Sequence, residues 1–251
     1  MNIIKASTGM WLKPNHETSL ETECLFGETI KIITEHSKWC FCELVTDNYK
    51  GWVKKSSLGV FKPPTHRVLS IRSLIFKDKD IKSHFIDYLP LGSKISVVDI
   101  CDNWAKIILS NKHKFKYGYV PIKHIVEINN KVLDWVKIAE QLIDTPYKWG
   151  GRDTIGIDCS ALLQLSYETY GEKIPRNSSD QINLEKELIT NPYILFRGLV
   201  VFWDKHVGIM VDRFNCIHAN AFHMKTVVEP LEKINKRMGG ENKILKIMNF
   251  N

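Results

Sequence analysis

No stretch of this 251-residue chain approaches the ~18–20 consecutive apolar residues that a bilayer-spanning helix needs. The N-terminus, Met1 to Gly9, has no basic region followed by an apolar run and a small-residue cleavage site. A cytoplasmic protein is therefore expected, or a periplasmic or secreted one whose leader has been removed. Cysteine is sparse: six residues, at 24, 40, 42, 101, 159 and 216, are too few for a disulfide scaffold at this length. They fit a reducing compartment, with most of them buried as small apolar side chains. Arginine is scarcer than lysine, 7 against 28, and lysine is the less suited to forked recognition of phosphates and bases. The net charge of +7 is read as a solvated basic surface, and no nucleic-acid partner is expected. A glycine-rich phosphate loop is missing. Cys40-Phe41-Cys42 has one intervening residue and no second pair nearby, so its thiols read as core on one face of a strand. No metal and no cofactor are expected.

What is present is first a repeat. Gly27-Glu28-Thr29-Ile30-Lys31-Ile32-Ile33 is followed by Trp39 and then by Gly51-Trp52-Val53. Sixty-five residues on, Gly92-Ser93-Lys94-Ile95-Ser96-Val97-Val98 is followed by Trp104 and then by Gly118-Tyr119-Val120. Glycine and tryptophan stand 12 residues apart in both copies. Apolar and polar residues alternate through each, the pattern of half-buried strands. Two small β-barrels, over residues 1–62 and 63–129, are the natural reading, with Pro63-Pro64 at the joint. One continuous β-sandwich is the alternative, but it leaves the period unexplained. Residues 1–130 carry 19 Lys and Arg against 13 Asp and Glu, whereas the remainder carries 16 against 15. The positive field belongs to the repeats.

From Lys131 the period becomes helical. Val132, Leu133, Val136, Ala139, Leu142 and Ile143 share one face, and Pro146 ends the run. A second helix follows Cys159, with Gly171 as its stop. Short strands then cover Leu199 to Trp203, His206 to Val211 and Cys216 to His218. Helices followed by an antiparallel meander make residues 130–251 an α+β domain.

One cysteine differs from the rest. Cys159, in Gly156-Ile157-Asp158-Cys159-Ser160-Ala161, opens a helix, where the dipole and unpaired N–H groups favour a thiolate. His206 and His218 lie 12 residues apart in strand-like settings. A strand, a turn and a return strand place their rings side by side, one to act as base for Cys159 and the other to orient it. His218 and His223 with Cys159 can be drawn as a metal site, but the thiol–imidazole pair explains them without a fourth ligand.

Five motifs in order resemble the NlpC-type cysteine peptidases (the NlpC and p-sixty family) of bacterial cell-wall metabolism. They are Pro146-Tyr147-Lys148-Trp149-Gly150-Gly151, Asp158-Cys159-Ser160, Ile174-Pro175-Arg176-Asn177-Ser178, His206-Val207-Gly208-Ile209 and Ile217-His218-Ala219. The repeats look like the bacterial SH3-like barrels that accompany this domain. Asp47-Asn48-Tyr49-Lys50-Gly51-Trp52 resembles the barrel of the branch that cleaves γ-D-glutamyl–diamino-acid bonds. The resemblance implies a papain-like catalytic domain with Cys159 as nucleophile, His206 as base and His218 as the orienting residue. Tyr147 would line the oxyanion site and Trp149 the substrate groove. Asp158 and Ser160 would recognise the free amine of an N-terminal L-Ala, with Tyr49 closing that end. Arg176 and Ser178 would hold the D-Glu carboxylate. The implied partner is a peptidoglycan-derived peptide, L-Ala–γ-D-Glu–diamino acid. Ala161 and Leu199 depart from the glycine and aspartate common in the family, at positions that carry no chemistry. The bland alternatives are Tyr49 packing on Trp52 and Arg176 in a surface salt bridge. Two other functions remain open: a non-catalytic wall-binding module, and an amidase or acyltransferase using the same Cys-His-His site.

Overall fold

The computed structural model describes residues 1–60, 62–191, 194–239 and 243–251. Two compact units emerge, one of residues 1–130 with 152–154 and one of residues 131–151 with 155–251.

In the first unit, strands β1 (Ser7–Trp11), β2 (Leu20–Leu25), β3 (Ile30–His36), β4 (Trp39–Leu44) and β5 (Lys50–Lys54) form an antiparallel sheet ordered β2-β1-β5-β4-β3. Strands β6 (Arg72–Phe76), β7 (Phe85–Pro90), β8 (Val97–Cys101), β9 (Trp104–Ile108) and β10 (Tyr117–Pro121) repeat the same wiring as β7-β6-β10-β9-β8. The repeat seen in the residues is thus a repeat of topology. Its glycines explain themselves: Gly27 and Gly92 have φ of 81° and 85°, the left-handed region where a Cβ is strained. Cys40 and Cys42 both point into the first core, beside Met10, Ile30 and Val53. The second core gathers Ile75, Leu89, Ala105, Ile107 and Val120.

The segment Arg152–Thr154 belongs to this unit, and its side chains bond into it. The buried Arg152 guanidinium donates to both Glu28 carboxylate oxygens, at 3.0 and 3.1 Å, and to the Glu23 carbonyl at 2.9 Å. Burial alone would raise the Glu28 carboxyl, but Arg152 and Lys94 outweigh it and hold it below its ordinary range.

The second unit has a six-stranded antiparallel sheet. Its strands are β11 (Glu187–Leu188), β12 (Leu199–Trp203), β13 (His206–Met210), β14 (Asn215–Asn220), β15 (Lys225–Pro230) and β16 (Lys246–Asn249), ordered β11-β16-β12-β13-β14-β15. Helix α1 (Val136–Glu140) is much shorter than the apolar face from Val132 to Ile143 predicts. Leu133 is 78% exposed, so it does not belong to a buried stripe. The helix starts where Lys137 N–H reaches Asp134 Oδ1, and the chain is diverted at Asp144, which has φ of 65°. Helix α2 (Cys159–Glu168) matches its expectation, and Gly171 follows it with φ of 99°. Nine of its ten residues are buried. Helices α3 (Ser178–Gln181) and α4 (Leu231–Met238) complete the unit. Among the described residues no helix is long and apolar enough to cross a membrane.

Candidate active site

Asp158 starts the site. It is the N-cap of α2, and its Oδ1 accepts from Ala161 N–H at 2.8 Å, satisfying one of the helix's unpaired donors. The next residue, Cys159, is fixed in the first turn with its sulfur buried. The backbone N–H groups of Val207 and Ser160 act on that sulfur and favour its charged form. Val207 follows His206 on β13, so the sulfur lies at the strand start that carries the imidazole.

Register across the sheet then aligns the histidines. Ile209 on β13 pairs with Ile217 on β14. His206 Nε2 lies 2.7 Å from His218 Nδ1, and the rings meet edge to face at 5.0 Å. His218 Nε2 in turn lies 2.8 Å from Glu229 Oε1 on β15. Arg237, on α4, donates to both Glu229 oxygens. The line His206–His218–Glu229–Arg237 extends two residues past the expected pair. Neither Glu229 nor Arg237 belongs to a motif by residue type or spacing.

Burial sets the charge state of the pair. It pushes the Cys159 thiol up to about 12, and Asp158 adds to the rise; N–H groups and Arg176 oppose it. It pushes His206 down to about 3, with His218 and Arg237 adding to the fall. His218 is likewise pushed down to about 3 by burial. Both shifts favour the neutral thiol and the neutral imidazole. The helix start predicted a thiolate, but desolvation of an ion in this enclosed position outweighs the helix-end field.

A second cluster flanks Cys159. The Arg176 guanidinium donates from Nη2 to Asp158 Oδ2 at 2.6 Å and from Nη1 to Asp158 Oδ1 at 3.0 Å and Ser160 Oγ at 2.8 Å. Ser160 Oγ donates to Asp158 Oδ1 at 3.1 Å, and Gly150 N–H reaches Oδ2 at 3.0 Å. Arg176 is only 3% exposed, so this is a buried ion pair and not a surface salt bridge. In this conformation the guanidinium is engaged with Asp158. The resemblance had implied a second carboxylate as its partner.

The remaining expected residues fall as follows. Tyr147 is near the centre: burial first, then its interactions with Cys159 and Asp158, raise its phenol to about 12. Trp149, in the same segment, is 70% exposed. Ser178 opens α3, half-buried, outside the Asp158 network. Tyr49 belongs to the first unit, where its hydroxyl donates to Glu21 Oε2 at 3.3 Å and its ring packs on the first core. No group of three His, Cys, Asp or Glu among the described residues is placed to hold a metal ion.

A cysteine at a helix start, and a histidine hydrogen-bonded to a second histidine, are the groups that a thiol peptidase centre uses. Residues 144–238 match the profile of the NlpC/P60 family, and residues 12–58 match the bacterial dipeptidyl-peptidase Sh3 domain. The chain thus carries an NlpC/P60 domain and, ahead of it, a bacterial SH3-type domain, and it is a cysteine peptidase. It is 25% identical over 226 residues to the gamma-D-glutamyl-L-lysine dipeptidyl-peptidase of Bacillus subtilis (strain 168), covering 80% of this chain and 72% of that protein. It is 23% identical over 239 residues to dipeptidyl-peptidase 6 of Lysinibacillus sphaericus, covering 87% and 86%. The crystal structure of an NlpC/P60 family protein from Bacillus cereus ATCC 10987 superposes with a TM-score of 0.84 at 14% identity, over 99% of this chain and 98% of that one. That likeness establishes the fold.

Proposed function

We propose that the enzyme hydrolyses the bond between D-Glu and the diamino acid (diaminopimelate or L-Lys) in stem peptides with a free N-terminal L-Ala. The observation that carries this reading is the cluster flanking the nucleophile, where Asp158 and Ser160 sit on either side of Cys159. The two dipeptidyl-peptidase relatives support it. A buried ammonium requires a carboxylate nearby, and Asp158 supplies one. Ser160 Oγ retains a lone pair for that ammonium while accepting from Arg176. Trp149 walls the groove, and Arg176 with Ser178 meets the D-Glu carboxylate.

In the reaction, His206 takes the Cys159 proton as the sulfur attacks the γ-carbonyl carbon. Starting from neutral partners, proton transfer accompanies attack, so the buried site never holds an idle ion pair. The oxyanion is met by backbone N–H groups at the head of α2 and by the Tyr147 hydroxyl. Collapse breaks the C–N bond, and His206 returns its proton to the leaving amine. Water, deprotonated by His206, then cleaves the thioester and releases L-Ala–γ-D-Glu.

Residues 1–62 and 63–129 are read as two SH3-like barrels and 130–251 as the catalytic domain, a division supported by the repeated strand order. A requirement for a free amine suits recycling of released muropeptides in the cytoplasm. The experiment is incubation of L-Ala–γ-D-Glu–diaminopimelate, and its N-acetylated form, with purified enzyme. Cleavage of the first and not the second is expected; equal turnover removes Asp158 from amine recognition.

A wall-binding role has its own observation. His16, Lys38, Trp39, Lys54 and Lys55 line a groove of about 580 Å³ on the first unit. Cosedimentation of a Cys159→Ala protein with peptidoglycan tests it.

A further inference from the structure

The proton on each catalytic histidine is a consequence of groups on β15 and α4. His218 Nε2 has two polar neighbours, Glu229 Oε1 at 2.8 Å and Asn220 Nδ2 at 3.2 Å. They make opposite demands. The Asn220 amide is oriented, because its Oδ1 accepts from His223 N–H at 2.8 Å, so its NH2 group faces His218. An Nε2 lone pair would accept from Asn220, whereas an Nε2–H would donate to Glu229. Only one can hold in a neutral ring.

The carboxylate has the stronger claim. It is the nearer group, the bond is charge-assisted, and a bare Nε2 would set its lone pair against an oxygen that also carries lone pairs. Arg237 engages both Glu229 oxygens and keeps them as acceptors, while His223 Nδ1 stands 3.8 Å from Oε1. With the proton on His218 Nε2, its Nδ1 is an acceptor and takes the bond from His206 Nε2–H. His206 Nδ1 is then the unprotonated nitrogen. The Asn220-paired alternative reverses every step and leaves His206 protonated on Nδ1, unable to take the thiol proton.

We propose that Glu229, anchored by Arg237, is the positioning residue that fixes the proton on His218 Nε2 and thereby leaves His206 Nδ1 bare as the base. It rests on the assignment of His206 as base to Cys159. When His206 gains the proton, the Glu229 charge also stabilises the imidazolium across His218.

Nitrogen-15 NMR of the histidine side chains in the wild-type enzyme, near neutral pH, reads the tautomers with no variant and no substrate. Both His206 and His218 are expected to carry hydrogen on Nε2 and none on Nδ1; hydrogen on His218 Nδ1 overturns the proposal. Glu229→Gln, nearly isosteric, then removes the charge. Its kcat is expected to fall about 10- to 100-fold with KM changed less than about 2-fold, a smaller loss than that for replacing a residue in direct contact with the base. Cys159 alkylation, followed in a Cys101→Ser background because Cys101 is a half-exposed thiol, should slow in parallel. Glu229→Asp should recover part of both rates. Wild-type kcat and alkylation in folded Glu229→Gln contradict the proposal. If the wild-type enzyme leaves the stem peptide uncut, the substrate reading fails while NMR and alkylation still decide the role of Glu229.

Discussion

Replacing Arg176 by methionine keeps most of the side chain's volume and removes its charge. The pair it breaks is buried, with 2% and 9% of the two side chains exposed. Removing one partner of such a pair costs about 3–5 kcal/mol, since the other charge is left uncompensated. Asp158 would retain Ala161 N–H at 2.8 Å, Gly150 N–H at 3.0 Å and Ser160 Oγ at 3.1 Å, which places the loss near the lower end, about 3 kcal/mol. Lysine at 176 restores charge but not the fork, and should recover less than half. Urea unfolding followed by tryptophan fluorescence suits the measurement, because Trp135 and Trp203 are buried in the catalytic unit. A double-mutant cycle with Asp158→Asn should give a coupling of about 2 kcal/mol or more. A loss under about 1 kcal/mol with no coupling would refute the buried-pair argument.

Acid should destabilise the enzyme through its histidines. His206 and His218 are depressed from 6.5 to about 3, so the unfolded chain binds their protons first. Their contribution is whole above 6.5 and is lost as pH falls toward 3, about 1 kcal/mol per histidine by pH 5.5. Unfolding at pH 7.5 and 5.5 checks this, and an unchanged slope in His206→Asn contradicts it. Gly208→Ala would set a Cβ 2.5 Å from the buried Cys216 sulfur and 3.5 Å from His218 Cβ. A loss of about 1–3 kcal/mol is expected, with most recovered by adding Cys216→Ala; a loss unaffected by residue 216 speaks against the clash. Tyr147→Phe should lower kcat about 10- to 100-fold at nearly constant KM, and a pure KM effect would move Tyr147 from the oxyanion to substrate binding.

The helix start at Cys159 and the pairing of His206 with His218 were legible because residue type and local spacing carried them. A helix start marks Cys159, and a strand–turn–strand separation brings His206 to His218. The repeat was legible for the same reason, since its glycines and tryptophans mark turns and strand starts. Partnerships across the fold were not. Arg176 meets Asp158 from 18 residues away, across α2 and the loop that follows it, and Glu229 reaches His218 only by cross-strand register. Charge state was misjudged because a helix end shows in sequence, whereas the depth at which it is buried does not. The short α1 has a related cause. Leu133 and Ile143 fit the helical period, yet each lies outside the helical turns and is exposed.

The central claim is that Cys159 cuts after the γ-D-glutamyl residue. Its most direct test is the release of L-Ala–γ-D-Glu from L-Ala–γ-D-Glu–diaminopimelate and from the L-Lys peptide, by wild-type enzyme and by folded Cys159→Ala. Release by the first alone is predicted. Release by both, or an intact peptide with active-concentration wild-type enzyme, contradicts it.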